Sequence, residues 1–182
     1  QTCALPILPK RLDDEVTVHI QAAGICGSDV PRVFEKGTYT FPTIPGHEFA
    51  GVIIDANDKL LIGKKVAVFP LISCGICPSC SIGKYELCNH YDYYGSRRDG
   101  GFAEYLQVKL DNVVMVPDDM NLRHAAMAEP SAVALHAIRQ VGLKGFERVA
   151  IWGIGPIGLL VAMWLKQFGV KQIKIGRASC RE

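Results

Sequence analysis

A mixed α/β architecture is predicted, in which a β-rich domain is followed by the opening of a second domain of alternating strand and helix. Three observations predict it. Short apolar runs separated by Gly- and Pro-rich loops fill most of residues 8–143, four cysteines crowd into residues 74–88, and residues 144–174 read as strand, glycine turn, helix and strand.

The first strand is expected at residues 15–23 (EVTVHIQAA), where Val16, Val18 and Ile20 alternate with polar neighbours, the period-two signature of a half-buried strand. It runs into Gly24-Ile25-Cys26-Gly27-Ser28-Asp29. The turn Pro45-Gly46-His47-Glu48 precedes an apolar run at 50–54, and a third run, 65–69 (KVAVF), leads into the cysteine cluster. Residues 102–108 and 112–116 add two strands. Helical spacing begins at 125–141, where Met127, Val133, Leu135, Ile138 and Val141 fall on recurring faces and Gly142 is placed to cap the end. Then 148–152 (RVAIW) reads as a short strand, 153–158 as a glycine turn, 159–168 as a buried helix closed by Gly169, and 171–173 as the start of another strand. This is half of a βαβ unit, so a domain boundary is expected near residues 142–147.

The 182 residues are 49% hydrophobic and 21% charged with a formal net charge of +2, which excludes disordered and collagen-like classes. No apolar stretch is long enough to span a bilayer and the N-terminus lacks the layout of a secretory signal, so a cytoplasmic protein without a membrane partner is expected. Lys and Arg are scattered among acids, which leaves no electrostatic footprint for nucleic acid. Small-molecule chemistry is the reading that remains.

Both ends are set apart. In frame, CAGACGTGTGCTCTTCCGATC encodes residues 1–7 and ATCGGAAGAGCGTCGTGTAGGGAA encodes residues 175–182, and both strings resemble short-read sequencing adapters. The expectation is that both segments are translated adapter and that residues 8–174 are gene-derived. Of the seven cysteines, Cys3 and Cys180 fall in those segments; Cys26, Cys74, Cys77, Cys80 and Cys88 remain. An odd number clustered four-plus-one argues for metal rather than disulfides.

Cys74, Cys77, Cys80 and Cys88 form C-x-x-C-x-x-C followed by seven residues and a fourth cysteine, with Gly75 and Pro78 shaping the turns. Four thiolates close a tetrahedral zinc site and leave no position for substrate, so residues 73–91 are expected to form a structural zinc lobe. A bacterial ferredoxin motif would place its fourth cysteine after three residues and before Pro, whereas Asn89 follows Cys88 here. A zinc ribbon would need two separated knuckles. An iron–sulfur module and a non-catalytic zinc-binding protein are the rival classes.

A second constellation is dispersed: Cys26 in G-I-C-G-S-D, His47 and Glu48 in P-G-H-E-F-A-G, and Glu129 in A-E-P. Catalytic zinc takes three ligands of mixed S, N and O type and keeps one position open. Singly, Cys26 also reads as a core thiol, His47 as a hydrogen-bonded turn residue and Glu129 as an acid favoured at a helix N-terminus. Their joint appearance beside the four-cysteine lobe points to metal. Gly153-Ile154-Gly155-Pro156-Ile157-Gly158 follows a strand and opens a helix, the context in which G-x-G-x-x-G reads as a dinucleotide site; a glycine turn chosen for packing is the alternative.

These motifs, in this order and approximate spacing, resemble the zinc-containing medium-chain dehydrogenases of alcohols and polyols, and the resemblance covers essentially all of residues 8–174. It implies a GroES-like catalytic domain at 8–143, the truncated start of a Rossmann domain at 144–174, and two zinc ions per full-length subunit. Catalytic zinc would sit on Cys26, His47 and Glu129, with Glu48 beside it as an alternate carboxylate. Asp29 would orient His47 through its other ring nitrogen. Ser28 would accept the substrate alcohol's proton, although a capping hydroxyl explains that spacing equally well. The family's onward relay uses a histidine three residues after this serine, where Pro31 stands.

Gly153, Gly155, Pro156, Ile157 and Gly158 would bind NAD; the acidic position that selects NAD over NADP falls where the terminal segment begins. The stretch 93–105 narrows the match to members acting on polyols or polyol phosphates, with galactitol 1-phosphate the leading substrate, and threonine, butanediol and sorbitol dehydrogenases the alternatives. Arg97 and Arg98 either offer a fork to a substrate phosphate or form a structural pair. A dimer or tetramer is implied for the full-length protein, and the fragment alone is expected to be inactive.

Overall fold

The computed structural model describes residues 10–143 and 148–176. The chain divides into two compact units, one ending at Met127 and the other beginning at Ala128. This division precedes the boundary near residues 142–147 that the change of pattern predicts, because the helix at 128–141 packs with the second unit.

In the first unit, β1 (Glu15–Gly24) leads to a single turn α1 (Asp29–Pro31), which continues as a π-turn over Arg32–Lys36. Then come β2 (Glu48–Asp55), β3 (Lys65–Val68), the short β4 (Leu71–Ile72), α2 (Pro78–Ser81), β5 (Asp92–Tyr93), β6 (Tyr105–Lys109), β7 (Val113–Met115) and α3 (Leu122–Ala125). Five strands form one antiparallel sheet in the order β6-β1-β2-β3-β7, and β4 pairs with β5 separately. Val16 and Val18 are buried as their alternation predicts, together with Phe49, Ile53, Val66, Val68, Tyr94, Leu106 and Val108. Thr17 is buried as well, so β1 does not alternate cleanly. The opposite face is covered: Leu122, Ala125 and Ala126 pack on Ala50 and Ala67.

The helix expected at 125–141 is two helices. Asn121 accepts the N–H of Arg123 through its side chain and so starts α3, and α4 (Ala128–Val141) follows in the second unit. There β8 (Arg148–Trp152), α5 (Pro156–Gln167) and β9 (Gln172–Gly176) complete a parallel strand pair with a helical crossover. Helix α5 starts three residues before its expected position because Pro156 stands in its first turn, where a missing N–H costs nothing. Ile138, Leu165 and Val170 form this unit's core, and Trp164 Nε1 donates to Ser131 of α4. Strand β9 extends past the expected 171–173 and pairs Ile175 with Ile151 and Gly176 with Trp152. The last two of its residues belong to the segment expected to be adapter, and ladder bonding through backbone groups places no demand on their origin. No helix among the described residues is long and apolar enough to cross a membrane.

Candidate metal centres and their surroundings

The register of the central strands creates the first centre. β1 and β2 run antiparallel with Gly24 opposite Glu48, so the loop leaving β1 and the turn entering β2 lie side by side. Cys26 and His47, twenty-one positions apart, are thereby brought together with Glu48, and their ligand atoms lie within 4.8 Å of one another. His47 is buried while Cys26 and Glu48 are half-buried. Glu129 is not in this group: it stands in the first turn of α4, in the second unit, the position that a helix dipole favours for an acid.

Asp29, 1% exposed, ties the two loops. Its Oδ2 accepts the N–H of Cys26 at 3.0 Å, and its backbone N–H donates to the Cys26 carbonyl at 2.9 Å. Its Oδ1 lies 3.2 Å from His47 Nδ1. The two atoms are not aligned for a hydrogen bond, so among the described residues Nδ1 is a buried nitrogen without a hydrogen-bond partner. A buried imidazole next to a thiol and a carboxylate is a donor set that fits zinc with an open position.

The turn carrying His47 rests on the segment at 99–102. Asp99 Oδ1 accepts the N–H of Ile44 at 2.9 Å, and the N–H groups of Gly100, Gly101 and Phe102 donate to the carbonyls of Ile44, Gly46 and Pro45 at 2.8, 2.8 and 3.0 Å. A Cβ on Gly100 would collide with the Gly46 carbonyl. The D-G-G-F stretch therefore positions the turn that carries His47, a role its spacing does not reveal.

Ser28 is exposed and does not cap α1. Its Oγ instead accepts a hydrogen bond from Arg32 Nη1 at 3.0 Å, and the same nitrogen lies 3.5 Å from Asp29 Oδ1. Arg97 and Arg98 each have partners. The Arg98 Nε lies 2.7 Å from Asp92 Oδ2, and the Arg97 guanidinium is held between the rings of Tyr39 and Tyr91, at 4.3 and 4.5 Å from their centroids.

The second centre is the cysteine lobe. Cys77, Cys80 and Cys88 are buried and Cys74 half-buried, and all four sulfurs lie within 4.8 Å of one another. The recorded separations are 3.4 Å for Cys77–Cys80 and 3.9 Å for both Cys74–Cys80 and Cys77–Cys88. Zn–S bonds near 2.3 Å at tetrahedral angles place sulfurs about 3.8 Å apart, so these values fit one zinc. They lie far beyond the roughly 2.05 Å of a disulfide. The Cys80 and Asn89 backbone hydrogen bonds hold the Cys77 thiol down to about 6, and burial pushes Cys80 up to about 12.

In the second unit, Gly153 leaves β8 at φ 118°, a conformation that side-chain-bearing residues rarely adopt, and Gly155 stands at the N-cap of α5. The turn delivers the helix N-terminus, with its unpaired N–H groups, to the end of β8, and this fits a pyrophosphate.

Comparisons with known proteins give the family and the fold. Residues 12–118 match the alcohol dehydrogenase GroES-like domain. The chain is 44% identical over 171 residues to galactitol 1-phosphate 5-dehydrogenase of Escherichia coli K12, covering 92% of this chain and 49% of that protein. It superposes on the crystal structure of galactitol-1-phosphate dehydrogenase from Escherichia coli with a TM-score of 0.87 at 42% identity, covering 94% of this chain and 51% of the other. An alcohol dehydrogenase from Escherichia coli CFT073 complexed with NADH gives 0.84 at 36% identity, over 92% and 50%. The chain thus spans about half the length of the curated relatives it matches. With a candidate metal-ligand group at the β1/β2 junction, a four-cysteine lobe and this match over the sheet, the chain belongs to the zinc-type alcohol dehydrogenase family with a GroES-like domain.

Proposed function

We propose that this chain carries the catalytic domain and the first part of the nucleotide-binding domain of a zinc-dependent dehydrogenase. The complete enzyme would transfer hydride from a secondary alcohol of a polyol phosphate, galactitol 1-phosphate in the first place, to NAD. The observation that carries this reading is the convergence of Cys26, His47 and Glu48 within 4.8 Å, with Asp29 behind the imidazole. Cys74, Cys77, Cys80 and Cys88 would hold a structural zinc, and the turn at 153–158 the pyrophosphate of the dinucleotide.

Cys26, His47 and a carboxylate would hold a zinc ion whose chemistry, when bound, would be Lewis acidity toward the substrate's alcohol oxygen. Asp29 fixes the backbone at Cys26 and stands against Nδ1 of His47, which leaves the other ring nitrogen for the metal. The carboxylate of the set comes from Glu48, already beside Cys26 and His47, or from Glu129 as the family resemblance implies. Ser28 takes the alcohol's proton. Its Oγ gives one lone pair to Arg32 Nη1 and retains its own proton and a second lone pair. Arg32 cannot carry that proton onward because a guanidinium does not deprotonate. Pro31 has no group to do so, and the proton leaves through water at the exposed Ser28. Homologous enzymes that use free polyols define the second reading.

The test is NADH formation by the full-length gene product with galactitol 1-phosphate, galactitol and sorbitol, each repeated with NADP. Preference for the phosphorylated substrate and for NAD supports the proposal. Equal rates with free polyols would move the enzyme to the sorbitol-type branch, and preference for NADP would correct the cofactor.

A further inference from the structure

The sequence offers Arg97 and Arg98 for a substrate phosphate, but both already face other groups. A different pair of cations is less committed. Ser28, Arg32, Lys36, Thr38 and Tyr39 line an open depression of about 380 Å³. It adjoins the metal-ligand loop, since Ser28 lies between Cys26 and the buried Asp29 in that loop. Arg32 and Lys36 are the two ends of the π-turn, a rare backbone form that is frequent at functional sites. Arg32 places Nη1 on Ser28 and Asp29 and forms no other side-chain hydrogen bond among the described residues, so most of its five N–H donors remain. Lys36 has no ion-pair partner among the described residues. The Arg97 guanidinium, 4.3 Å from the centroid of the Tyr39 ring, adds positive charge next to that lining residue.

The geometry points to this depression as the subsite for a phosphate monoester, with Arg32 as a forked donor and Lys36 as a point charge. The inference rests on the proposed polyol phosphate substrate and gives that substrate's charged end a place. A planar guanidinium fork matches phosphate oxygens two at a time, and a second cation suits the dianion. Because Ser28 is both a wall of the depression and the proposed proton acceptor, a phosphate held here would set a carbinol of the same molecule beside the metal group.

The experiment is calorimetric titration of the zinc-loaded chain with inorganic phosphate, for the wild type and for Arg32→Gln, Lys36→Gln and the control Lys64→Gln. Saturable binding weakened about tenfold or more by Lys36→Gln and by Arg32→Gln, and unchanged by Lys64→Gln, is expected from the loss of a charge-assisted contact. Arg32 also touches Ser28 and Asp29, so Lys36→Gln decides if Arg32→Gln fails to fold. Binding indifferent to Lys36→Gln, or no saturable binding, would overturn the subsite.

The full-length enzyme provides the second readout, kcat/KM for a polyol phosphate against the same free polyol. Loss confined to the phosphorylated substrate in Lys36→Gln supports the subsite. Equal loss on both substrates would overturn it while leaving the substrate reading intact. Phosphate binding that maps to Lys36 in an enzyme indifferent to phosphorylation would do the reverse.

Discussion

At the residue scale, Asp29 is the side chain that reaches both the Cys26 and the His47 sides of the candidate metal group. Its two oxygens face the Cys26 N–H and His47 Nδ1 from a position that is 1% exposed. Asp29→Asn keeps the size and removes the charge; groups that orient metal ligands in this way typically contribute 10- to 100-fold in metal affinity, and about that loss is expected here. Competition with a chromophoric chelator should show it at one zinc only, with the four-cysteine site unchanged. Loss at both sites would mean that Asp29 supports the fold rather than the ligand. The same titration separates the carboxylates. Because Glu48 is already within 4.8 Å of Cys26 and His47, Glu48→Gln is expected to weaken this zinc in the isolated chain and Glu129→Gln to leave it unchanged. The opposite result would return the ligand to Glu129, where the family resemblance puts it. At the cysteine lobe the protonation state gives a sign. Burial keeps Cys80 protonated at neutral pH when no metal is bound, so zinc must displace a proton and its affinity rises with pH. Calorimetry in buffers of different ionisation enthalpy should record net proton release at pH 7.

At the element scale, the ends of β1 and β2 matter more than their interiors. Gly100→Ala is the direct probe of the segment beneath the His47 turn, because its Cβ would meet the Gly46 carbonyl and backbone must move. A cost of about 1–3 kcal/mol in urea unfolding is expected, as for other forced backbone conformations, together with weaker zinc at the Cys26 group and an unaffected cysteine lobe. Unchanged stability and zinc would show that the two segments are not coupled. Much of this scale was legible in the chain. Val16 and Val18 betray β1 by alternation, the cysteine spacing announces the lobe, and RVAIW followed by G-I-G-P-I-G announces β8 and α5. What escaped has a common physical origin in contacts distant along the chain. The support of Gly46 by 99–102 is made of backbone hydrogen bonds that no side-chain pattern encodes. The split between α3 and α4 depends on which sheet or helix each turn packs against. Arg32 and Lys36 differ from any other basic pair until the π-turn and the depression are seen. Arg97 and Arg98 illustrate the converse: adjacent in sequence, they face different partners.

At the scale of the whole molecule, the sheet core contains one titratable group whose burial makes stability depend on alkaline pH. Tyr94 is 1% exposed among Phe49, Val66 and Leu106, with the Phe49 ring edge-on at 6.2 Å, and its Oη accepts the N–H of Lys109 at 2.9 Å. Burial pushes the phenol above its ordinary value, against the lowering influence of the Lys109 hydrogen bond and the nearby Arg98. The sign follows from proton linkage: the folded chain holds this proton to higher pH than the unfolded chain, whose tyrosines ionise near pH ~10. Stability is therefore complete below that pH and declines as pH rises through it towards the folded value. Tyr94→Phe removes the ionisable group but orphans the Lys109 N–H, so the variant should be about 1 kcal/mol less stable at neutral pH and lose less on going to pH ~10.5. Urea unfolding of both proteins followed by circular dichroism at the two pH values makes the comparison. Lysines titrate over the same range in both, so the difference between the two slopes isolates Tyr94. Parallel slopes would show that the phenol ionises without opening the core, and a steeper slope in the variant would reverse the assignment.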